Sequence, residues 1–194
     1  MSPHTEESVA RLTDAARRVV NAVVLAGPDA ADATALAATL NAVAEELERR
    51  APSREERMRR MWAPLDSRPH NLVDGPENPL APPLRIDREQ DDSVRARAVF
   101  GLPYQGPPGF LHGGVSALVM DHVLGLATIW AGDTGMTARL TLDFRRPVPL
   151  FEQVDVTARQ VGVDGRKIRA TGTISAGGTD CVVAEGLFVT PRPA

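Results

Sequence analysis

Asp121 is the residue of this 194-residue chain that most needs a chemical reason. It lies in the run Gly114 to Ala131, where His122 is the one other ionisable side chain. A carboxylate left unpaired in an apolar interior costs several kcal/mol or takes up a proton. Either it bonds to backbone amides or a neighbouring arginine, or it is held there to react. The surroundings favour reaction. His112-Gly113-Gly114 stands seven to nine residues upstream; two glycines let a ligand approach the backbone and leave amide N–H groups open where a helix starts. Such a terminus attracts a developing oxyanion. Gly125, one turn beyond Asp121, offers room beside the carboxylate.

Other chemistries fit less well. Ser116, in Gly114-Val115-Ser116-Ala117-Leu118, lacks the closing glycine of a nucleophile elbow. His4, His70, His112 and His122 do not have zinc-ligand spacing, and no phosphate-binding glycine motif occurs. His122 points about 100° away from Asp121 around a helix, as a buried or interface histidine would. Cys181 has no second cysteine to pair with, fits a reducing compartment, and reads as a small buried hydrophobe in a strand.

These groups need a helix to carry them and a sheet to cover it. The helix from Gly114 to Trp130 is apolar on every face, so its own curved sheet and something else, most simply a partner subunit, must enclose it. Around it the apolar residues recur with the period of two that strands show. Val94, Ala96 and Ala98 alternate with Arg95, Arg97 and Val99; Ala138, Leu140, Leu142 and Phe144 alternate with Thr137, Arg139, Thr141 and Asp143. Val154, Val156 and Ala158 continue the pattern, Asp164-Gly165 marks a hairpin turn, and Ile168, Ala170, Gly172 and Ile174 line its far side. Cys181 to Val189 forms a last apolar strand. One strand region, a helix and four strands imply an antiparallel sheet laid on a single long helix.

The first third reads differently. Val9, Leu12, Ala16, Val19, Val20 and Val23 mark one buried helix face; after Gly27-Pro28, with Asp29 or Asp32 as cap, Leu36, Leu40, Val43 and Leu47 mark a second, giving a helical hairpin. Glu45/Arg49 and Glu46/Arg50 are spaced for ion pairs, and Ser53 with Glu56 forms a capping box that opens a short Arg-rich helix through Arg60. Six prolines between Pro64 and Pro83 read as a linker. With a net charge of -3 and pI near 5.8, the composition gives no reason to expect nucleic acid. No secretory leader or integral membrane segment is read, so a cytoplasmic protein is expected.

The run Tyr104-Gln105-Gly106-Pro107-Pro108-Gly109-Phe110-Leu111-His112-Gly113-Gly114, then Asp121, Met136-Thr137-Ala138 and Phe144-Arg145-Arg146-Pro147, resembles the hotdog-fold acyl-CoA thioesterases. Within them it is similar to the His-Gly-Gly branch, the PaaI-like phenylacetate-pathway and THEM-type enzymes. The similarity covers roughly Pro79 to Pro191. It implies an α+β hotdog fold, an antiparallel β-sheet wrapped around one long central helix. The N-terminal helical extension would span 1–62, a proline-rich linker 63–78 and the thioesterase domain 79–194. The implied reaction is hydrolysis of an acyl-CoA thioester to free acid and CoA. Asp121 would be general base or nucleophile, Gly113 would lend its amide to the thioester oxygen, His112 would brace the loop, and Thr137 would help position the attacking water. Many relatives carry Asn six residues before the histidine; here that position is Gly106, and Gln105 is the residue expected to serve instead. Gly114, Arg146, Arg166 and Lys167 are expected to bind substrate, the three cations by meeting the phosphates of CoA. No metal, and no cofactor beyond the substrate's own CoA, is implied.

Gly114 and Asp121 are seven residues apart, about 10 Å along a helix, too far for one carbonyl carbon to lie roughly 3 Å from both. A two-fold axis that sets two such helices antiparallel brings Asp121 of one chain toward the glycines of the other, so a homodimer, or a dimer of dimers (homotetramer), is expected. The rival reading is a non-catalytic acyl-CoA-binding or regulatory protein, for which the helical extension speaks. An enoyl-CoA hydratase would need an Asp/His pair acting together, and adjacent helix residues do not converge.

Overall fold

The computed structural model describes residues 3–27, 32–61 and 69–192. They fall into two compact units, the helical part through Asn71 with Gly75–Pro79, and Leu72–Asp74 with Leu80 onward. The first unit holds α1 (Pro3–Ala26), α2 (Ala33–Arg50) and α3 (Arg54–Met61). Ser53 Oγ accepts the Glu56 N–H at 3.2 Å, the capping expected for α3. Asp32 stands at the N-cap of α2 in the left-handed region (φ 54), with no side-chain cap bond; Asp29 lies outside the described residues. Glu46 pairs with Arg50 as expected and also takes Arg49, in place of the pair expected between Glu45 and Arg49. Arg17 Nη2 donates to Asn78 O and Arg57 Nη2 to Glu77 Oε2, each at 2.9 Å, tying the 75–79 turn to α1 and α3. The hairpin expected of α1 and α2 is not a closed one, since no residue of α2 is buried.

The second unit is one antiparallel sheet on one helix. Its elements are β1 (Arg85–Arg88), β2 (Val94–Val99), α4 (Gly113–Trp130), β3 (Met136–Phe144), β4 (Gln153–Asp164), β5 (Lys167–Ala176) and β6 (Thr179–Val189), in the spatial order β1-β2-β4-β5-β6-β3. This is the hotdog arrangement implied by the resemblance. β1 was not foreseen, because Arg85-Ile86-Asp87-Arg88 is too polar and short to show a period; it pairs along one side only, at the sheet edge. The expected alternation holds through the middle of the sheet. Val154 and Val156 of β4, Ile174 of β5 and Val182 of β6 are fully buried, facing Val119, Met120, Val123 and Leu124 of α4. Cys181 is buried in β6, as expected. Within the segment read as a linker, Val73 is buried in this same core. α4 is long and apolar enough to cross a bilayer by length and composition, yet one of its faces is buried in the core.

Two strand glycines decide how closely α4 approaches the sheet. A Cβ at Gly172 would stand 2.4 Å from Thr157 O and 2.8 Å from Met120 Cε; one at Gly186 would stand 2.7 Å from Phe188 Cε2 and 3.3 Å from Leu124 Cδ1. A glycine inside a strand often marks such close approach. Since the Thr157 contact is backbone and cannot rotate away, Gly172→Ala is expected to destabilise the fold by about 1–3 kcal/mol. Urea unfolding checks this: a midpoint equal to the parent's would show that the strands relax at no cost.

Candidate active site

His112 caps α4. Its backbone is extended (φ -64, ψ 131), its carbonyl accepts from Val115 and Ser116 N–H, and its own N–H donates to Tyr104 O at 2.9 Å. Its Nδ1 accepts the Gly114 N–H at 2.9 Å, so in the neutral ring the proton sits on Nε2. One glycine amide is therefore taken by the cap. Gly113 N–H, at the first helical position, has no hydrogen-bond partner among the described residues. An unclaimed amide at a helix start can donate to an anion.

Eight residues along α4, the half-buried Asp121 carboxylate accepts a hydrogen bond from Thr137 Oγ1 at 2.9 Å. A β-bulge makes this contact possible. Thr137 pairs with Phe188 and Arg139 with Leu187, so Ala138 is an extra residue between them. Residues opposite each other share a sheet face. Phe188 is buried on the helix side, so Thr137 points to α4, while Arg139 faces away. Simple alternation puts Thr137 with Arg139, Thr141 and Asp143 on the outer face; the bulge turns it over, as bulges beside functional sites do.

The loop before α4 is tightly built. A Cβ at Gly106 would lie 2.8 Å from His112 Cα, so an asparagine does not fit that position here. Gln105 Oε1 accepts the Gly109 N–H at 3.0 Å, closing the 105–109 loop on itself rather than reaching Asp121. A Cβ at Gly125 would meet Phe188 Cε1 at 3.7 Å, an ordinary contact distance, so there is room for a methyl group there. His122 faces Asp74, with Nε2 3.1 Å from Oδ2, and does not join Asp121. Phe144 was not singled out as a site residue. Its ring lies 3.4 Å from where a Cβ of Gly113 would stand although the residue is 59% exposed. A large apolar side chain left open beside an unclaimed amide was the available signal.

Within one chain these groups form two half-sites, not one. Gly113 with Phe144 marks one end of β3 and Asp121 with Thr137 the other. The proposed cations divide the same way. Arg146 N–H donates to Cys181 O, whereas Lys167 pairs with Val189, eight residues further along β6, or about 25 Å at strand rise. Arg166 sits in the turn before Lys167, its carbonyl accepting the Thr190 N–H. All three cations are exposed.

Comparison with known proteins bears on both units. Residues 108–183 match the model of the thioesterase superfamily, and residues 1–56 match a family described as the N-terminal helical domain of hypothetical protein RHA1_ro05818. The chain is 36% identical over 109 residues to acyl-coenzyme A thioesterase THEM4 of Bos taurus, covering 54% of this chain and 45% of that protein. It is 38% identical over 76 residues to THEM4 of Rattus norvegicus, covering 39% and 33%. It thus spans less than half the length of these curated relatives. Among solved structures, a Streptococcus pneumoniae TIGR4 hypothetical thioesterase protein with coenzyme A shares the fold at 19% identity and a TM-score of 0.52, over 57% of this chain and 91% of that one. Protein RHA08564, a thioesterase superfamily protein, superposes with a TM-score of 0.83 at 45% identity, over 93% of this chain and 94% of that one. That likeness runs through the helical extension as well as the sheet, and by it the chain belongs to the thioesterase superfamily.

Proposed function

We propose that the protein is an acyl-CoA thioesterase whose reaction centre forms between two subunits. The carrying observation is that each half-site joins an α4 residue to a residue of one edge strand, Asp121 to Thr137 and Gly113 to Phe144. β3 ends the sheet, and most of its residues are exposed. A free strand edge is a template for pairing. Antiparallel pairing of two β3 edges about a two-fold axis near Leu140 would set Thr137 and Asp121 of one subunit beside Phe144 and Gly113 of its partner. It would also bring Arg146 of one subunit to the sheet end that carries Arg166 and Lys167 of the other. One axis thus completes both the reacting pair and a cationic patch for the phosphates of CoA.

At such a centre Asp121 accepts a proton from water as the water oxygen attacks the thioester carbonyl carbon. Thr137 holds one carboxylate oxygen and leaves the other for the water. Gly113 N–H, backed by the partial positive charge of the α4 start, receives the oxyanion. Collapse of the tetrahedral intermediate expels CoA thiolate, which is then protonated. His112 braces the loop by holding Gly114, and Gln105 braces it by holding Gly109; neither is needed at the reacting atoms. Catalysis is assigned to residues 79–194, without a cofactor beyond the CoA of the substrate. The names of the THEM4 relatives and the coenzyme A of the streptococcal structure support this substrate class.

Incubation with a panel of short, long and aromatic acyl-CoAs, read by thiol release, is expected to give saturable turnover of at least one member. Saturable binding of acyl-CoA by calorimetry with no thiol released from any would replace the enzyme by a ligand-binding protein.

A further inference from the structure

The extension carries a pattern that the thioesterase reading does not use. In α1, Val9, Leu12, Ala16, Val19, Val23 and Ala26 recur at alternating spacings of three and four; in α2, Ala33, Leu36, Leu40, Val43 and Leu47 do the same. That is the 3.5-residue seam with which helices pack on other helices. The seams stand open. Leu12, Val19 and Val23 of α1 and Leu36, Leu40, Val43 and Leu47 of α2 are 38–59% exposed, and α2 buries nothing. An 18-residue helix with no buried face is marginal in water. Apolar side chains left open along one stripe mark a surface that takes a partner.

The flanks of the seams say what covers them. From Val19 to Ala44 there is no Lys, Arg or Glu, and only Asp29 and Asp32 are charged. Helices that lie on lipid surfaces carry Lys and Arg along the polar face, which this stretch lacks. Residues beside the seam are mostly small or neutral: Ala15, Val20 and Ala22 in α1; Ala37, Thr39 and Ala44 in α2, where the one charged flank, Glu46, is paired with Arg49 and Arg50 of its own helix. Charges at such flanking positions set partner choice and exclude wrong pairings. Here almost nothing repels a second copy, and small flanks let each helix pack on two neighbours, as in a bundle. We propose that α1 and α2 form a self-association surface that takes α1 and α2 of a second copy of this chain, closing an intermolecular four-helix bundle. The inference does not depend on the catalytic reading.

The full-length chain tests it by cross-linking, because pairing through β3 could leave the total mass unchanged. Cys181 is the native cysteine and is buried. Leu40→Cys places a thiol near the middle of the α2 seam, and Glu45→Cys places one on the opposite face. With a short bismaleimide at micromolar protein, Leu40→Cys should give covalent dimers and Glu45→Cys should not. Adding Leu36→Glu and Val43→Glu to Leu40→Cys should abolish the product; Leu36→Ser with Val43→Ser, a milder pair, should reduce it severalfold. An unchanged sheet melting transition shows that the second unit stays folded. Absence of a Leu40→Cys dimer, equal yields from both cysteines, or indifference to the seam substitutions overturns the proposal. So does co-sedimentation of the parent with phosphatidylcholine/phosphatidylglycerol vesicles that the Leu36→Glu, Val43→Glu pair abolishes, which would assign the seam to lipid.

Discussion

Asp121→Asn is expected to lower kcat by about 10²–10⁴-fold with little change in KM, the loss that follows when a general base is removed. The fold should be untouched, because an asparagine carbonyl at the same place can still accept the Thr137 hydroxyl that now lies 2.9 Å from Asp121 Oδ1. A thermal transition matching the parent's, measured beside thiol release from the best acyl-CoA, separates loss of chemistry from loss of structure. Turnover within a factor of a few of the parent would make Asp121 a structural partner of Thr137 and end its role as base. Thr137→Val, which removes the hydroxyl but keeps the shape, should cost less, since it frees the carboxylate without deleting it.

Two inactive variants are expected to rescue each other. Gly113→Pro removes the proposed oxyanion donor, and the backbone accepts it: proline suits the first helical position, and His112, at φ -64 and ψ 131, has the extended geometry required before proline. Phe144 lies at ordinary contact distance from the new Cβ, so packing does not forbid the change. Loss of one oxyanion donor costs about 10²–10³ in kcat. When Asp121→Asn and Gly113→Pro dimers are mixed and their subunits exchange, one site of each mixed dimer joins an intact Asp121 to an intact Gly113. Random exchange should restore about a quarter of parental activity, half the dimers being mixed and one site in two being whole. A centre contained in one chain recovers nothing. No recovery despite exchange demonstrated by mass labels would therefore refute the shared site.

Read alone, the sequence already determined much of this protein. The period-two runs around Val94, Val154, Ile168 and Val182 and the unbroken apolar run after Gly113 specify strands and a helix, because burial repeats with the geometry of the backbone. A glycine pair at a helix start and a carboxylate within that helix are legible for the same local reason. The short polar β1 was not, since an edge strand buries too little to leave a pattern. Three further matters belonged to tertiary structure. Which glycine amide stays open was decided by the His112 ring, whose Nδ1 claims Gly114. Which face Thr137 takes was decided by a one-residue bulge against Phe188, and a bulge is a property of two paired strands that neither strand announces. That α1 and α2 leave their seams open was also beyond the sequence: the same three-and-four spacing describes a helix covered by its neighbour and one still awaiting a partner, and only the exposure of Leu36, Leu40 and Val43 separates them.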